Sequence, residues 1–301
     1  MRTRTCLTAT LAVALLLLGA CSDPTPVADN SPTRGADRGD QSPSDDETPG
    51  ETPTEDEDGG PERTVAVYYV GDTDRAGPRL YREFQRGQGE ALAASVAALT
   101  GPPLDGDYRS MWTEGQITAV SYDADVINVI VDPAVRQRPG GMSPREARAA
   151  VEQVIYTMQA AIQERAPVQF RTADNPIDQV FGVPTSEPLA NGPMLEVLSH
   201  INLTSPEQGS VVDDGTLEVS GVGNSFEANV RWEIRRGDEV VMDGFTTMEG
   251  WMGPKLFPFE TTADVGDLAP GDYTLWVTTD DPSGGTEGFG AMTDDKDFVI
   301  E

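Results

Sequence analysis

Few side chains in this sequence could carry out catalysis. His200 is the only histidine, so a Ser-His-Asp or Cys-His arrangement would have to use it. It lies in the candidate strand LSHINLT without a Gly-x-Ser-x-Gly elbow, and the two cysteines, Cys6 and Cys21, do not complete a zinc-binding cluster with it. We therefore expect a structural or surface histidine, no catalytic residues, no metal and no cofactor.

Carboxylates are the more abundant candidates. A pair of them could support glycoside hydrolysis, but among 51 acidic residues many pairs occur by chance and nothing distinguishes one pair. Calcium takes clustered oxygen ligands, which makes the acidic loops at Asp213-Asp214, Asp280-Asp281 and Asp294-Asp295 candidates. Because no EF-hand spacing is present, solvated turn residues are the favoured interpretation of all three pairs.

Exposed aromatic side chains would mark a binding surface. Trp251, flanked by glycines in GWMG, is the first candidate for a partner contact, and Trp112 is the second. For both residues, burial in the core is the favoured alternative, as it is for most large aromatic side chains. Trp232 and Trp276 alternate with polar neighbours in candidate strands, so we expect both of them in the core.

The clearest chemistry belongs to Cys21. It follows two arginines, an apolar run from Leu7 to Leu18 and two small residues, which is the layout of a secretory signal peptide over residues 1–20. A transmembrane helix needs about 20 apolar residues, more than this run provides. The motif LGAC, which ends at Cys21, resembles the bacterial lipobox, in which the cysteine is lipidated and becomes the new N-terminus. The alternative is an ordinary signal peptide with a chance cysteine.

Residues 21–62 are predicted to form a disordered, acidic tether. They contain thirteen acidic residues and two arginines but almost no large apolar side chain, so they cannot offset the entropy of ordering. The net charge of −30 remains strongly negative without this segment. Nucleic acid is therefore excluded as a partner, and the membrane is expected to hold the protein through covalent lipid rather than through charge.

Residues 63–183 are predicted to form an α+β domain of order β-α-β-β-α-β, with one sheet and both helices on one face. The pattern gives a strand at TVAVYYV, a loop containing Gly77-Pro78, a helix ending at ALTGPP, and a hairpin of QITAVSYD and DVINVIVD. A second helix begins with Ser143 as N-cap and Glu146 completing a capping box, and the strand VQFRT follows it.

The remaining residues change character. VPTSEPLANGP is rich in turn formers and predicts a linker at 184–195. Residues 196–301 then contain seven short candidate strands, separated by Gly, Asp, Pro and Asn clusters, which are typical of an all-β, immunoglobulin-like sandwich. These strands are LSHINLT, TLEVSGVG, ANVRWEIRR, EVVMDGFTT, KLFPFETT, DYTLWVTTD and KDFVIE.

Two resemblances to known families cover nearly all of the predicted folded chain. Residues 64–183 resemble the GerMN domain of sporulation and spore-germination proteins through VAVYYV, LYRE, ALTGPP, INVIVD and the Tyr156-Thr157 pair that leads into VQFRT. Residues 198–301 resemble the immunoglobulin-like domain of bacterial spore germination through INLTSPEQGSVV, LEVSGVGNSFEANVRWEI and DYTLWV. These resemblances imply an envelope lipoprotein without an established enzymatic activity or cofactor, in germination or in another cell-wall process.

The sequence thus favours a lipid-anchored protein on the outer face of the cytoplasmic membrane. Its two domains are expected to bind another envelope protein or a wall polymer without catalysis. A cell-wall hydrolase that uses a carboxylate pair is the main alternative. A regulatory partner of a membrane signalling protein is a third hypothesis.

Overall fold

The structure, a computed structural model, describes residues 60–251, 253–284, 286 and 288–301. The predicted signal peptide, Cys21 and the predicted tether as far as residue 59 lie outside this range. Within the described range, no helix combines the length and the apolar character needed to cross a membrane. Strands are abundant there and helices few.

The first half of the described chain, called the α+β part (residues 62–184), alternates strands and helices. Its elements are β1 (Glu62–Thr73), β2 (Gly77–Gln88), α1 (Ala91–Thr100), β3 (Tyr108–Arg109), β4 (Ile117–Asp123), β5 (Val126–Val131), α2 (Pro144–Ile162), β6 (Val168–Arg171), β7 (Gln179–Val180) and β8 (Val183–Pro184). Both predicted helices, the β4–β5 hairpin and the strand at VQFRT are therefore confirmed.

The sheet arrangement differs from the predicted single sheet. Strands β2-β1-β3 form one three-stranded sheet, and β4-β5-β6 form another. The reason is β2, which sequence reasoning left as a loop and which pairs with β1 along the whole length of both strands. On the other edge of β1, Val70 and Gly71 pair with β3, and neither β5 nor β6 joins this sheet.

The β1–β2 hairpin closes at Gly77, the residue that predicted a loop. Gly77 has a φ of +75°, which glycine adopts without strain, and it is the first residue of β2. Thr73 stabilises the turn, because its hydroxyl donates to Gly77 O at 2.9 Å and accepts the Ala76 N–H at 3.0 Å. Buried Arg79 and Glu83 interrupt the apolar pattern that would have identified the strand.

Helix α2 begins as predicted. Ser143 Oγ accepts the Glu146 N–H at 3.2 Å, and Glu146 Oε2 accepts the Ser143 N–H at 2.8 Å, so each residue satisfies one exposed donor of the other. The apolar stripe of the helix packs into a large core cluster that also contains Ile177 and Phe181, from a segment that the sequence pattern left without structure.

Trp112 lies inside this same core, so the prediction that it contacts a partner at the surface is wrong. Its side chain is 1% exposed, and the indole N–H donates to Ala150 O at 2.8 Å. The ring also packs against Phe170 and Phe181, with centroid distances of 6.4 and 5.0 Å. A partner cannot reach this tryptophan, because its ring is buried and its indole N–H is already hydrogen-bonded.

The second half, called the sandwich (residues 201–300), follows the short helix α3 (Met194–Val197). Its strands are β9 (Ile201–Ser205), β10 (Ser210–Val212), β11 (Thr216–Gly223), β12 (Asn229–Arg236), β13 (Glu239–Thr247), β14 (Phe257–Asp264), β15 (Gly271–Thr279) and β16 (Thr293–Ile300). They form a five-stranded sheet, β10-β16-β15-β12-β13, and a three-stranded sheet, β14-β11-β9. All seven predicted strands are present; β10 was missed.

The two tryptophans expected in the sandwich core have different positions. Trp232 is buried between the sheets, on the same face of β12 as Val230 and Ile234. Trp276, predicted to be buried as well, is only half-buried on the opposite face, where the Arg235 guanidinium lies 4.4 Å from its ring centroid. Strand alternation places Leu275 and Val277 in the core and so turns Trp276 outward.

A buried polar cluster, called the lysine cluster (Asp105, Tyr108, Asp294 and Lys296), joins the α+β part to the sandwich. Lys296 Nζ donates to Asp105 and, at 2.8 Å, to the Tyr108 oxygen, while the Tyr108 hydroxyl donates to Asp294. The other oxygen of Asp294 accepts the Leu203 N–H at 2.6 Å. Each of the four side chains is at most 7% exposed. Asp294 thus belongs to a strand and a buried cluster, and the predicted acidic loop at Asp294-Asp295 is wrong.

Backbone contacts continue this junction. Ser199 N–H donates to Leu80 O at 2.9 Å, and Arg82 N–H donates to Asn202 Oδ1 at 2.9 Å. Residues of the predicted linker also bond to the α+β part, since Val168 and Leu189 exchange two backbone hydrogen bonds of 2.8 Å. The described residues belong to one compact unit that includes both parts.

Burial and neighbouring charge shift the pKa values of this junction. Burial raises the pKa of Asp294, and Lys296 opposes that rise. Burial alone would lower the pKa of Lys296, but the carboxylates of Asp294 and Asp105 raise it above its ordinary value. The pKa of the adjacent Asp295 rises to about 7, first because of burial and then because of the negative charges of Asp107, Asp294 and Asp105.

Asp295 is expected to make the folded protein less stable as pH increases from about 4 to about 7. In that window the folded protein keeps a proton on Asp295 that the unfolded chain has released, so the free energy of unfolding falls as pH rises. Asp295→Asn should therefore be more stable than the wild type at pH 8 and nearly equal to it at pH 4.5. Denaturant unfolding at both pH values measures this difference. Asp272→Asn, which alters an exposed residue of β15, is the control, and a pH-independent effect of Asp295→Asn would contradict the prediction.

Candidate functional site

Trp251, the first predicted contact residue, lies on the surface. Its side chain is 42% exposed and meets the edge of Phe226, which is 44% exposed, at a centroid distance of 5.7 Å. Asn224 holds the loop after Trp251, because its amide donates to Gly253 O at 3.1 Å and Lys255 O at 2.8 Å. The exposure is compatible with a contact role, and binding through Trp251 stays a prediction.

His200 has the structural surroundings expected for it. Its Nε2 lies 2.8 Å from Leu195 O, and its ring meets Phe289 edge-on at a centroid distance of 5.9 Å. Burial lowers the pKa of His200. In the part of the chain that the structure describes, no group of three or more His, Cys, Asp or Glu side chains is placed to hold a metal ion.

A concentration of unpartnered charge lies elsewhere, in a cleft of about 500 Å³ called the arginine cleft. It opens where the β1–β2 turn, the first turns of α2 and the segment around α3 meet the loop before β16. Four arginines line it: Arg75, Arg79, Arg145 and Arg148. The side chains of these four arginines make no hydrogen bond or ion pair with any described residue, which leaves their guanidinium groups available to a ligand.

Arg79 is the unusual member of this set. Strand β2 buries it to 7% exposure, and its Nε atom has no hydrogen-bond partner. The guanidinium carbon lies 4.7 Å from the centroid of the Phe289 ring, which supports the group from one side. Burial lowers the pKa of Arg79, partly opposed by the charge of Glu196. A buried cation without a counter-ion is costly, and an anionic ligand would supply the missing partner.

The two carboxylates of the cleft form no ion pair with the arginines and offset their charge only in part. Both oxygens of Glu152 accept the Gly192 N–H, at 3.1 and 3.0 Å, and burial raises the pKa of this group. Glu196 is exposed on α3. Four guanidinium groups against two carboxylates leave the cleft with an excess of positive charge in a chain whose net charge is −30.

Sequence reasoning did not find this cleft. Arg145 and Arg148 share a helix face because they are three positions apart, and this is the one local signal. Arg79 lies on the missed strand β2, and Phe289 lies in a glycine-rich loop far along the chain. Their proximity follows from the junction between the α+β part and the sandwich, which no local pattern encodes.

Comparison with known proteins adds one family match. Residues 200–286 match the model of the immunoglobulin-like domain of bacterial spore germination, so the sandwich contains a domain of this kind. No curated protein is similar enough to be counted as a relative.

Two solved structures are similar at a low level. One is an engineered protein, 12% identical over 58% of this chain and 40% of that chain, with a TM-score of 0.28. The other is a modular endo-β-1,4-mannanase from Cellulomonas fimi, 13% identical over 58% of this chain and 39% of that chain, with a TM-score of 0.25. The chain thus spans about two fifths of each, and similarity this weak carries no conclusion about activity.

Removing the buried charge of the cleft should stabilise the protein. Arg79→Met keeps an unbranched apolar stem, shorter than that of arginine, and removes an unpartnered cation, so we expect the free energy of unfolding to rise by about 1 kcal/mol or more. Arg82→Met is the matched control on the same strand. Arg82 donates to Thr204 Oγ1 at 3.1 Å, so its replacement should reduce stability. Denaturant unfolding measures both variants, and a loss of stability in Arg79→Met would contradict the interpretation.

Proposed function

We propose that this protein is a lipid-anchored, non-enzymatic module on the outer face of the cytoplasmic membrane, and that it recognises an anionic component of the cell envelope at the arginine cleft. The observation that carries this proposal is the set of four unpartnered guanidinium groups around one opening, one of them buried. Charged side chains are normally paired when they are buried, and sites that depart from this rule are candidates for ligand binding.

Short-range contacts can outweigh the negative charge of the whole chain. At physiological ionic strength, charges more than about 8 Å apart in solvent are largely screened from each other. A ligand inside the cleft is therefore governed by the guanidinium groups that it touches, while the distant acidic residues mainly disfavour ligands that extend far over the surface. This combination suits a binding module that selects a local anionic group and repels extended polyanions.

The lipobox at residues 18–21, the acidic segment behind it and the GerMN resemblance support the envelope location. The match of residues 200–286 to a germination-related domain agrees with it. In this proposal, residues 63–183 form the GerMN-like domain, 184–195 connect it to the sandwich, and the cleft belongs to both. The ligand is a protein or a wall polymer of the envelope.

The absence of catalysis is part of the proposal. Asp105 and Asp294, two fully buried carboxylates, are both bound by Lys296 or Tyr108, so neither is available as a general acid or nucleophile. Glu152 is held by the Gly192 N–H. Incubation of the purified chain with cell-wall material tests this point, because release of soluble fragments that is lost on replacing one carboxylate would establish the hydrolase instead.

Lipidation depends on one thiol in this proposal. In cells that are fed a fatty acid carrying a detectable alkyne, the wild type and Cys6→Ser should both carry the label. Cys21→Ser should lose it completely, because the acyl chains are attached through Cys21 and its new N-terminus. Gel detection of the label measures this, and equal labelling of all three proteins would refute the anchor.

Binding to envelope material should depend on the cleft. Arg145→Ala combined with Arg148→Ala removes two exposed guanidinium groups from the cleft, and we expect the fraction that sediments with envelope fragments to fall about tenfold. Arg138→Ala combined with Arg231→Ala removes the same charge from exposed positions outside the cleft, so this variant should sediment like the wild type. Equal losses in both variants, or a loss only in Trp251→Ala, would reject the cleft as the recognition site.

A further inference from the structure

The arginine cleft combines its charge with an apolar wall. Ala76, Pro78, Val197 and the half-exposed ring of Phe289 line the same opening as the four arginines. Apolar walls with a few convergent polar groups are typical of sites that bind organic ligands rather than inorganic ions. A volume of about 500 Å³ also exceeds what a single carboxylate or phosphate occupies, so the ligand extends beyond its charged group.

Resting on the proposed function, we propose that the cleft binds the terminal carboxylate of a peptide segment whose last side chain is apolar. The carboxylate meets the Arg79 guanidinium, and the apolar side chain contacts Phe289 and Val197. A guanidinium group presents N–H donors in a planar fork that matches a carboxylate with two parallel hydrogen bonds. Arg79 is suited to this role, because burial in β2 and the Phe289 ring hold it in place before the ligand arrives.

The charge balance favours a single carboxylate over a phosphate polymer. Glu152 and Glu196 reduce the positive excess of the cleft from four charges to two, so the third and later negative groups of a phosphate polymer gain little there. Anionic groups beyond the opening meet the surface of a chain with a net charge of −30. A peptide with one terminal charge has no such groups, and exposed Glu196 offers an acceptor at the rim for a backbone N–H of that peptide.

Neighbouring residues hold two walls of the cleft through hydrogen bonds and a ring contact. The His200 ring meets the ring of Phe289 edge-on, and the backbone N–H of His200 donates to Met292 Sδ at 3.2 Å, which ties the loop before β16 to the start of β9. On the opposite side, Glu152 holds Gly192 through two hydrogen bonds. Walls held by such contacts favour one ligand geometry, as expected for recognition of a chain end rather than of diffuse charge.

The experiment compares four probes on the full chain purified in detergent. N-acetyl-trialanine with a free terminal carboxylate is compared with the same peptide carrying a C-terminal amide, with inorganic phosphate and with polyphosphate. Backbone amide NMR shifts at Ala76, Arg79, Val197 and Phe289 report binding and its location. We expect saturable shifts with the free-carboxylate peptide, and at least tenfold weaker binding of the amide and of both phosphates.

Variants assign the interaction to the cleft. Arg79→Gln and, independently, the exposed Arg148→Gln should each raise the dissociation constant of the free-carboxylate peptide. For Arg79→Gln we expect an increase of about ten- to a hundredfold. Arg138→Gln, outside the cleft, should leave it unchanged. Because Arg148 is on the surface, its variant remains informative even if Arg79→Gln alters folding.

The outcomes separate this inference from the proposed function. Equal binding of the amide and the free-carboxylate peptide, or preferential binding of either phosphate, would overturn the proposal that the cleft binds a terminal carboxylate. The anionic recognition itself stands if envelope sedimentation still depends on Arg145 and Arg148. If no probe binds, the inference is rejected, and the sedimentation result alone decides the proposed function.

Discussion

The lysine cluster is the interaction on which the rest of this structure depends. Lys296 enters the interior from β16 of the sandwich, and its buried ammonium group requires counter-charges within reach. Asp294 on the same strand provides one, and Asp105 of the α+β part provides the other, with Tyr108 bonded to both Lys296 and Asp294. While the two parts stay in contact the cluster is shielded from water, so removing one partner would leave a buried charge unpaired. Electrostatics therefore couples the two parts more specifically than apolar contact, which tolerates many arrangements.

Arg79 is also a buried cation that requires a counter-charge, but unlike Lys296 it has no carboxylate bonded to it among the described residues. It is as deeply buried as the members of the lysine cluster. Glu196 lies near enough to raise its pKa, and Phe289 covers one face, but neither replaces a hydrogen-bonded counter-ion. The protein thus pairs the buried cation of Lys296 with its own carboxylates, and it leaves the buried cation of Arg79 without a counter-ion at the edge of an opening. That contrast within a single molecule is the physical basis for assigning binding to the cleft.

Local rules were enough to predict much of the fold. The Ser143–Glu146 capping box, the apolar stripe of α2 and the seven strands of the sandwich depend on residues that are close in sequence, and the structure contains all of them. Strand β2 was missed because buried Arg79 and Glu83 occupy positions where an apolar pattern was required. The nearby Gln85 amide donates to Glu83 at 2.8 Å, and the other partners of Glu83 are the backbone N–H groups of Leu104 and Asp105, about twenty residues later. Those partners are defined by the tertiary fold, so a local pattern carries no trace of them.

The same reasoning explains why the candidate site could not be predicted. Trp112 and Trp251 are equally conspicuous in the sequence, but a loop packed on α2 buries the first and a loop held by Asn224 exposes the second. Predicting the cleft would require knowing how three distant elements meet, because Arg79, Arg148 and Phe289 come from β2, α2 and the loop before β16. Phe289 reaches Arg79 only when β16 is seated against the α+β part, and the buried charge of Lys296 favours that seating. The position of Arg79 beside Phe289 therefore depends on the paired charge of Lys296. The cleft is a property of the junction rather than of either part alone.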